Sequence, residues 1–284
     1  MRTVQIKDFT LGENSPLCFF LGPCALESRD LALEVAAFVH EATQDLPCNV
    51  VFKSSFDKAN RSSLNSKRGL GMEAGLSVLS EIKARYGFAL VTDIHLPHQA
   101  EPVSEVCDVL QIPAFLCRQT DLLVAAAKTR ACIKVKKGQF VAPNDMANVV
   151  EKIQACGNNN IILTERGTTF GYNNLVADMR SIPLMQKLGV PVCFDASHSV
   201  QLPGGLGTES SGDREFIRGL AHASVAMGAD AIFIECHPNP DKAISDRNSQ
   251  LPLSELQPLL KELTALYQLR SSFQKTPKTK AAVY

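Results

Sequence analysis

The sequence predicts an α/β fold, a closed (β/α)8 TIM barrel, and three observations predict it. Eight short apolar runs recur along the chain, helix-period segments separate most of them, and nearly every run ends in polar or charged side chains. Alternating strand and helix implies a parallel sheet with right-handed crossovers. Eight such units in about 260 residues match the size of a barrel. An open doubly wound sheet is the runner-up, but no Gly-x-Gly-x-x-Gly follows an early run, so its dinucleotide-binding form lacks support.

Residues 1–12 place Val4, Ile6, Phe9 and Leu11 around Lys7-Asp8, which reads as a short N-terminal β-hairpin ahead of the barrel. The apolar runs then fall near 17–21, 48–52, 88–92, 107–112, 132–135, 160–164, 191–194 and 230–234. Ser28 is a candidate N-cap for a first helix, in which Leu31, Val35, Phe38, Val39 and Ala42 share one face. Met72, Leu76, Leu79 and Ile82 mark a second. Further helices are expected near 119–130, 143–156, 174–188, 214–228 and 253–268, and a short one near 97–105, where Pro97 and Pro102 interrupt the pattern. The Gly-rich stretch 203–212 is long enough to cover a site, and equally compatible with a surface connector. A single domain over 1–270 is expected, followed by a polar, basic tail at 271–284 with the composition of a disordered terminus.

With 45% hydrophobic residues among 284, the chain can bury one large core. Lys plus Arg equals Asp plus Glu at 29 each, so no global charge draws it to nucleic acid or to a membrane surface. No apolar stretch approaches the roughly 20 residues of a membrane span, and the first residues lack the apolar core of a signal peptide. Nine dispersed cysteines, among them Cys18, Cys48, Cys107, Cys132 and Cys193 inside apolar runs, read as reduced thiols and point to a cytoplasmic location.

In a barrel all strands finish on one face, so the run ends can be read together. Two chemistries separate there. Lys53, Lys58, Arg61, Arg118, Lys136 and Arg166 follow runs two, four, five and six. Any one of these could be a solvated surface charge, but the set aimed at one face expects a small polyanion bearing phosphate or carboxylate. Runs one, seven and eight contribute Cys24, His198, Glu235 and, just beyond, Asp246. First and last strands are neighbours in a closed barrel, so these four can converge. A thiolate, an imidazole and two carboxylates suit a borderline divalent transition ion better than Mg²⁺. The alternatives are a buried thiol at Cys24 and a hydrogen-bonding His198. The last run, 231–234, ends abruptly in Glu235-Cys236-His237 before two prolines, with Glu235 and His237 on one strand face.

Several motifs resemble one family. Lys58-Ala59-Asn60-Arg61-Ser62-Ser63, residues 111–121 (QIPAFLCRQTD), Lys136-Lys137-Gly138-Gln139-Phe140, Glu165-Arg166-Gly167 and Phe194-Asp195-Ala196-Ser197-His198-Ser199 occur in the order found in 3-deoxy-D-manno-octulosonate 8-phosphate (KDO 8-phosphate) synthases. The likeness runs from the hairpin to about residue 268. The related heptulosonate 7-phosphate synthases carry something closer to Lys-Pro-Arg-Thr-Ser at the first motif, so Ala59-Asn60 favours the octulosonate family. The resemblance implies a homotetrameric, cytoplasmic enzyme of KDO and lipopolysaccharide biosynthesis. It would condense phosphoenolpyruvate with D-arabinose 5-phosphate and water, giving KDO 8-phosphate and inorganic phosphate. The two substrates carry about five negative charges, counting roughly two per phosphate.

By the same resemblance Lys136, Arg166, Gln111 and the backbone of Ala114 hold the phosphoenolpyruvate phosphate, with Lys53 and Lys58 at its carboxylate and reacting carbons. Asn60, Arg61 and Ser62 face arabinose 5-phosphate, and Phe115 and Arg118 extend toward a neighbouring subunit's site. Lys58 is implied as proton donor or charge stabiliser, and Asp93 and His95 lie where the aldehyde or the attacking water is handled. One branch of the family needs a divalent metal and has Cys at the position of Cys24, whereas the other has Asn and needs none. Cys24 and Ser245-Asp246 resemble the metal-dependent branch, with Cys24, His198, Glu235 and Asp246 holding a divalent ion such as Zn, Fe or Mn. One departure stands out: Lys134 occupies a position where the resemblance leads one to expect Asn. Two alternatives are a synthase that uses erythrose 4-phosphate and a non-catalytic barrel that only binds anions.

Overall fold

The computed structural model describes residues 2–61, 63–204 and 211–275. Eight parallel strands form the barrel: β1 (Cys18–Gly22), β2 (Asn49–Lys53), β3 (Ala89–Asp93), β4 (Val109–Ile112), β5 (Cys132–Lys136), β6 (Ile161–Glu165), β7 (Val192–Asp195) and β8 (Ala231–His237). Each pairs with the next, and β8 pairs with β1 across five residues, from Ala231↔Cys18 to Glu235↔Gly22. The sheet therefore closes, which rules out the open doubly wound alternative. The helices are α1 (Arg29–Thr43), α2 (Met72–Tyr86), α3 (Ala100–Val106), α4 (Thr120–Ala127), α5 (Ala147–Gln154), α6 (Ser181–Gln186), α7 (Phe216–Met227) and α8 (Leu253–Lys275).

Strand alternation sorts the core into two layers. Outward residues such as Phe19, Leu21, Phe52, Leu90, Leu110, Ile133, Leu163, Phe194 and Ile232 pack against the helices. Inward residues such as Cys18, Phe20, Val51, Ala89, Val91, Val109, Cys132, Ile162, Cys193 and Phe233 fill the barrel. The hairpin, Thr3–Ile6 paired with Phe9–Gly12, adds Val4, Ile6 and Leu11 to this inner cluster, next to the N-terminal ends of the strands. Burying three such side chains is worth about 1.5–3 kcal/mol each. Arg2 fixes the hairpin's start by donating through Nη2 to Asp230 Oδ1 at 3.0 Å and through Nε to Oδ2 at 3.3 Å. This end of the barrel is thereby filled, and only the opposite end is left to open.

The helix signals hold with two adjustments. Ser28 caps α1, its hydroxyl accepting from Leu31 N at 3.2 Å. In α2 the buried face is Gly75, Val78, Leu79 and Ile82, while Met72 and Leu76 are half-buried. A Cβ at Gly75 would lie 2.5 Å from that of Phe56, so the helix rests directly on that ring-bearing loop. The helix expected over 174–188 is confined to Ser181–Gln186. Its first part is instead a short ladder, Leu175–Val176 against Thr168–Thr169, around the positive-φ residues Gly171 and Asn173. At the other end α8 continues through Lys275, past the expected domain end, and residues 276–284 of the expected tail lie outside the described residues. Among the described residues no helix is long and apolar enough to cross a membrane.

Candidate active site

On climbing six of the eight strands toward their C-terminal ends, the inward positions turn from apolar to polar or charged. Val51 gives way to Lys53, Val91 to Asp93, Val109 to Gln111, Cys132 to Lys134 and then Lys136, Cys193 to Asp195, and Phe233 to Glu235. All of these are buried. Above them opens a cavity of about 490 Å³ bounded by Lys53, Lys58, Asp93, His95, Lys136, Arg166, His198 and Asp246. Asn60, Arg61 and Ala114 line its rim, as do Pro203 and Gly204 at the start of the Gly-rich stretch. The base of that stretch is a two-residue ladder, Gln201–Leu202 against Ser211–Gly212, and 205–210 lie outside the described residues.

The cations are held by carboxylates and by each other's partners. Lys53 Nζ lies 2.5 Å from Glu235 Oε1 and donates to the Cys24 carbonyl at 3.0 Å. Lys58 Nζ donates to Ser55 Oγ at 3.1 Å and lies 4.0 Å from Glu235 Oε1. Ser55 donates to Asp93 Oδ2, and Gln111 Nε2 donates to Asp93 Oδ1. Burial would raise the Asp93 pKa, but Lys53, Lys58 and Lys136 outweigh it and hold the group well below the usual carboxylate range. Burial would depress Lys58, but Cys24, Glu235, Asp93 and Asp246 more than offset this and hold it charged above the ordinary lysine range. Burial lowers His95, and its Nδ1 is buried without a hydrogen-bond partner beside the cavity. Arg166 donates through Nη2 to Gln201 Oε1 at 2.5 Å, while its Nη1 is buried and unpartnered, a donor left for an anion. Behind Lys136, the buried Lys137 donates to the Gly138, Val141 and Gly167 carbonyls at 3.3–3.5 Å, tying the loop after β5 to the loop after β6.

Opposite this anion side stand the four metal-type groups. Ligand atoms of Cys24, Glu235 and Asp246 lie within 4.8 Å of one another. His198 Nε2 faces the same space, 3.7 Å from Glu235 Oε1 and 3.8 Å from Asp246 Oδ2. Its Nδ1 hydrogen-bonds Asp195 Oδ1 at 3.0 Å, with Lys136 Nζ 3.2 Å away, which orients the ring and turns Nε2 toward the cluster. Glu235 Oε2 is buried without a hydrogen-bond partner. Burial, reinforced by Asp246 and Glu235, pushes the Cys24 thiol well up, and Sγ donates to Asp246 Oδ2 at 3.1 Å. An orphaned carboxylate oxygen, an oriented imidazole and a thiol fit a divalent ion, whose binding would displace the thiol proton. Local backbone makes this possible. Gly22 (φ +152°) ends β1 with a Cβ direction only 2.0 Å from the Lys53 carbonyl, so no side chain fits and the chain can turn Cys24 inward. Asp246 takes a left-handed φ of 50°, a conformation Asp tolerates.

Of the residues singled out from the sequence, Lys53, Lys58, Asn60, Arg61, Asp93, His95, Ala114, Lys136, Arg166, His198 and Asp246 all line the one cavity. Cys24, Glu235 and Gln111 are buried behind its wall. Arg118 is exposed and does not line the cavity, and Ser62 lies outside the described residues. Sequence reasoning passed over Ser55 and Asp195, although both stand in run-end polar clusters, and over Gln250, whose Oε1 accepts from Cys24 N at 3.1 Å. It also missed Gln201, which bridges the two halves: Oε1 accepts from Arg166 and Nε2 donates to Asp246 Oδ1 at 2.8 Å. No local pattern marks a glutamine for that role.

Comparison with known proteins agrees with this geometry. A family model described as DAHP synthetase I family matches residues 2–269. A 2-dehydro-3-deoxyphosphooctonate aldolase of Protochlamydia amoebophila is 53% identical over 269 residues, covering 95% of this chain and 98% of its own length. A protein of the same name from Nitratidesulfovibrio vulgaris is 60% identical over 248 residues, covering 87% of this chain and 91% of its own. Another, from Brucella canis, is 52% identical over 263 residues, covering 93% and 95%. With its barrel, its cationic cavity and this match over nearly its whole length, the chain belongs to the DAHP synthetase I family.

Proposed function

We propose that this chain is a KDO 8-phosphate synthase. It joins phosphoenolpyruvate to D-arabinose 5-phosphate with addition of water, and releases KDO 8-phosphate and inorganic phosphate. The observation that carries this is the meeting, at one barrel mouth, of an unpartnered Arg166 donor and several lysines with an aldehyde-side pair, Asp93 and His95. The relatives bearing the name 2-dehydro-3-deoxyphosphooctonate aldolase support it.

Lys136 and Arg166 hold the phosphoenolpyruvate phosphate, with the Ala114 backbone and Gln111 on its flank and Lys53 and Lys58 at the carboxylate and reacting carbons. Asn60 and Arg61, with Ser62 by the family resemblance, receive arabinose 5-phosphate, and the exposed Arg118 serves a neighbouring subunit's site rather than this cavity. C3 of phosphoenolpyruvate forms a bond to the aldehyde carbon, water adds at C2, and the tetrahedral intermediate loses phosphate by C–O cleavage. Lys58, held charged by its carboxylate neighbours, stabilises or protonates the oxygen that gains charge. Asp93, held ionised, and His95, kept neutral by burial, orient the aldehyde and the water.

We further infer that Cys24, His198, Glu235 and Asp246 hold a divalent transition ion, and that the chain belongs with the metal-dependent branch; the convergence of Cys24, Glu235 and Asp246 supports this reading. When bound, such an ion supplies Lewis-acid polarisation of an oxygen atom at the cavity wall. The homotetramer is carried from the family resemblance and is read by analytical ultracentrifugation; the exposed Phe140 and Phe170, on loops after β5 and β6, are apolar side chains that a subunit contact would cover.

Phosphate release from phosphoenolpyruvate plus arabinose 5-phosphate tests the reaction, with erythrose 4-phosphate as competing acceptor. A large preference for erythrose 4-phosphate, or no phosphate release with either, overturns it. The same assay after chelation and add-back of Mn²⁺ or Zn²⁺ tests the ion. Activity lost and then restored supports it, and activity that survives thorough chelation makes Cys24 a bystander.

A further inference from the structure

Lys134 is the departure the sequence left without a role. It sits on the inward face of β5, beneath Lys136 and beside Gln111 in register on β4, and is 0% exposed. Its Nζ lies 4.9 Å from the Phe20 ring centre and 4.8 Å from that of Phe233. Among the described residues it has no ion pair within 4.0 Å. Its hydrogen bond goes to Gln111 Oε1, at 2.9 Å. Burial pushes its pKa down to about 8, in keeping with a cation given ring faces and one amide in place of a carboxylate.

That one bond has a direction. An ammonium only donates, so Gln111 must turn its carbonyl oxygen toward Lys134. Its Nε2 is then aimed at Asp93 Oδ1. The ionised Asp93 only accepts, so Ser55 must commit its hydroxyl proton to Oδ2. The Ser55 oxygen is left with lone pairs, and one of them takes Lys58 Nζ at 3.1 Å. Obligatory donors stand at both ends of this chain and an obligatory acceptor at its centre, so every sense is fixed. Five side chains on four elements thus connect the barrel core to the ammonium at the cavity. Without Lys134 the buried Gln111 oxygen loses its donor, and the amide is free to rotate off Asp93.

We propose that Lys134 is a positioning residue for the reaction: it fixes the Gln111 amide, and through Asp93 and Ser55 it fixes where Lys58 presents its charge. The proposal rests on the assignment of Lys58 to the reacting centre. Reactants held about 1 Å out of place lose up to about 100-fold in rate, and a partial loosening transmitted through three bonds should cost less.

The test is steady-state kinetics of the full chain with phosphoenolpyruvate and arabinose 5-phosphate, for Lys134→Met alone and in a Ser55→Ala background, with thermal melts to confirm folding. Lys134→Met should lower kcat about tenfold with the phosphoenolpyruvate KM changed less than about threefold. With the relay already cut by Ser55→Ala, the same change should cost less than about twofold. Unchanged kcat, or equal losses in both backgrounds, overturns the proposal. If Lys134→Met does not fold, Lys134→Leu, which also lacks a donor, is read by the same two-background comparison. Lys58→Met run alongside separates the two assignments. If it keeps the wild-type rate, the role of Lys58 is wrong. If it abolishes turnover while Lys134→Met does not slow it, only the positioning role is wrong.

Discussion

Replacing Lys53 with Met should make the stability of this protein depend on a divalent ion. Lys53 and Glu235 are 1% and 0% exposed at the side chain, with Nζ 2.5 Å from Oε1. Removing one partner of such a buried pair costs about 3–5 kcal/mol, because the other charge is left without compensation. Lys58 at 4.0 Å and His198 at 3.7 Å remain near the carboxylate, which places the cost near the lower end. At roughly 2–4 °C per kcal/mol for a chain of this size, about 3 kcal/mol lowers Tm by roughly 6–12 °C. An ion held by Cys24, His198, Glu235 and Asp246 supplies the missing positive charge, and at about 100 times its Kd adds about 2.7 kcal/mol. The measurement is calorimetry of wild type and Lys53→Met, each in EDTA and in excess Mn²⁺ or Zn²⁺. The variant's deficit should be large in EDTA and largely recovered with the ion. An equal deficit in both conditions would show that Glu235 is not a ligand, and no deficit in EDTA would refute the energetics of the pair.

Three further outcomes can be checked directly. Cys24→Asn should lose stoichiometric metal by elemental analysis, and whatever activity it keeps should no longer respond to chelation; metal retained at one per chain counts against the ligand set. Gln201→Met, close in shape but unable to hydrogen-bond, frees Arg166 and Asp246 together; losing a bond to a charged group worth about 1.5–3 kcal/mol should raise the phosphoenolpyruvate KM about tenfold or more, and an unchanged KM would refute a positioning role. The third concerns acid. Lys53 and its neighbours overcome burial to hold Asp93 and Glu235 below the usual carboxylate range, and His198 and Lys136 do the same for Asp195. The unfolded chain therefore binds these protons at higher pH than the folded one. The stabilisation is fully present above the unfolded values near pH 4 and is lost as pH falls toward the folded ones. Circular dichroism melts from pH 5 to pH 3 should show falling Tm, and a flat profile would contradict the ionised cluster.

Much of this was legible because barrel strands carry their message twice. Apolar runs bounded by polar ends announce both the strand and the face it serves, so Lys53, Asp93, Lys136, Arg166, His198 and Glu235 could be gathered into one site before any coordinates. The segment 174–188 misled because Leu175, Met179, Ile182 and Met185 imitate a helical stripe. Gly171 and Asn173, both at positive φ, turn its start into a ladder that the stripe does not reveal. Gln201 and Ser55 were missed for a different reason. Each acts by linking two groups far apart in sequence, such as Arg166 and Asp246, and a linker's identity depends on distances that no spacing encodes. Lys134 was visible as an anomaly, but its meaning needed the partner strand that brings Gln111 beside it.

The two chemistries at the barrel mouth are one electrostatic system. A chain of zero net charge concentrates Lys53, Lys58, Lys134, Lys136 and Arg166 there with Asp93, Asp195, Glu235 and Asp246. Without ligands the carboxylates keep the lysines paired: Glu235 holds Lys53, and Asp195 holds Lys136 at 2.7 Å. That pairing makes the buried cations tolerable, but it also opposes anion binding, since a phosphate must compete with carboxylates already in place. Under the proposed ion site the competition is relieved from the far side. Glu235 and Asp246, once committed to a divalent ion, release Lys53 and Lys58 toward an incoming carboxylate, while Asp195 remains bound to His198 and keeps its imidazole oriented. Anion affinity and ion affinity should therefore rise together, and the closed sheet makes this possible: β8 lies between β7 and β1, so Glu235 stands within reach of both the lysines and the ligand set.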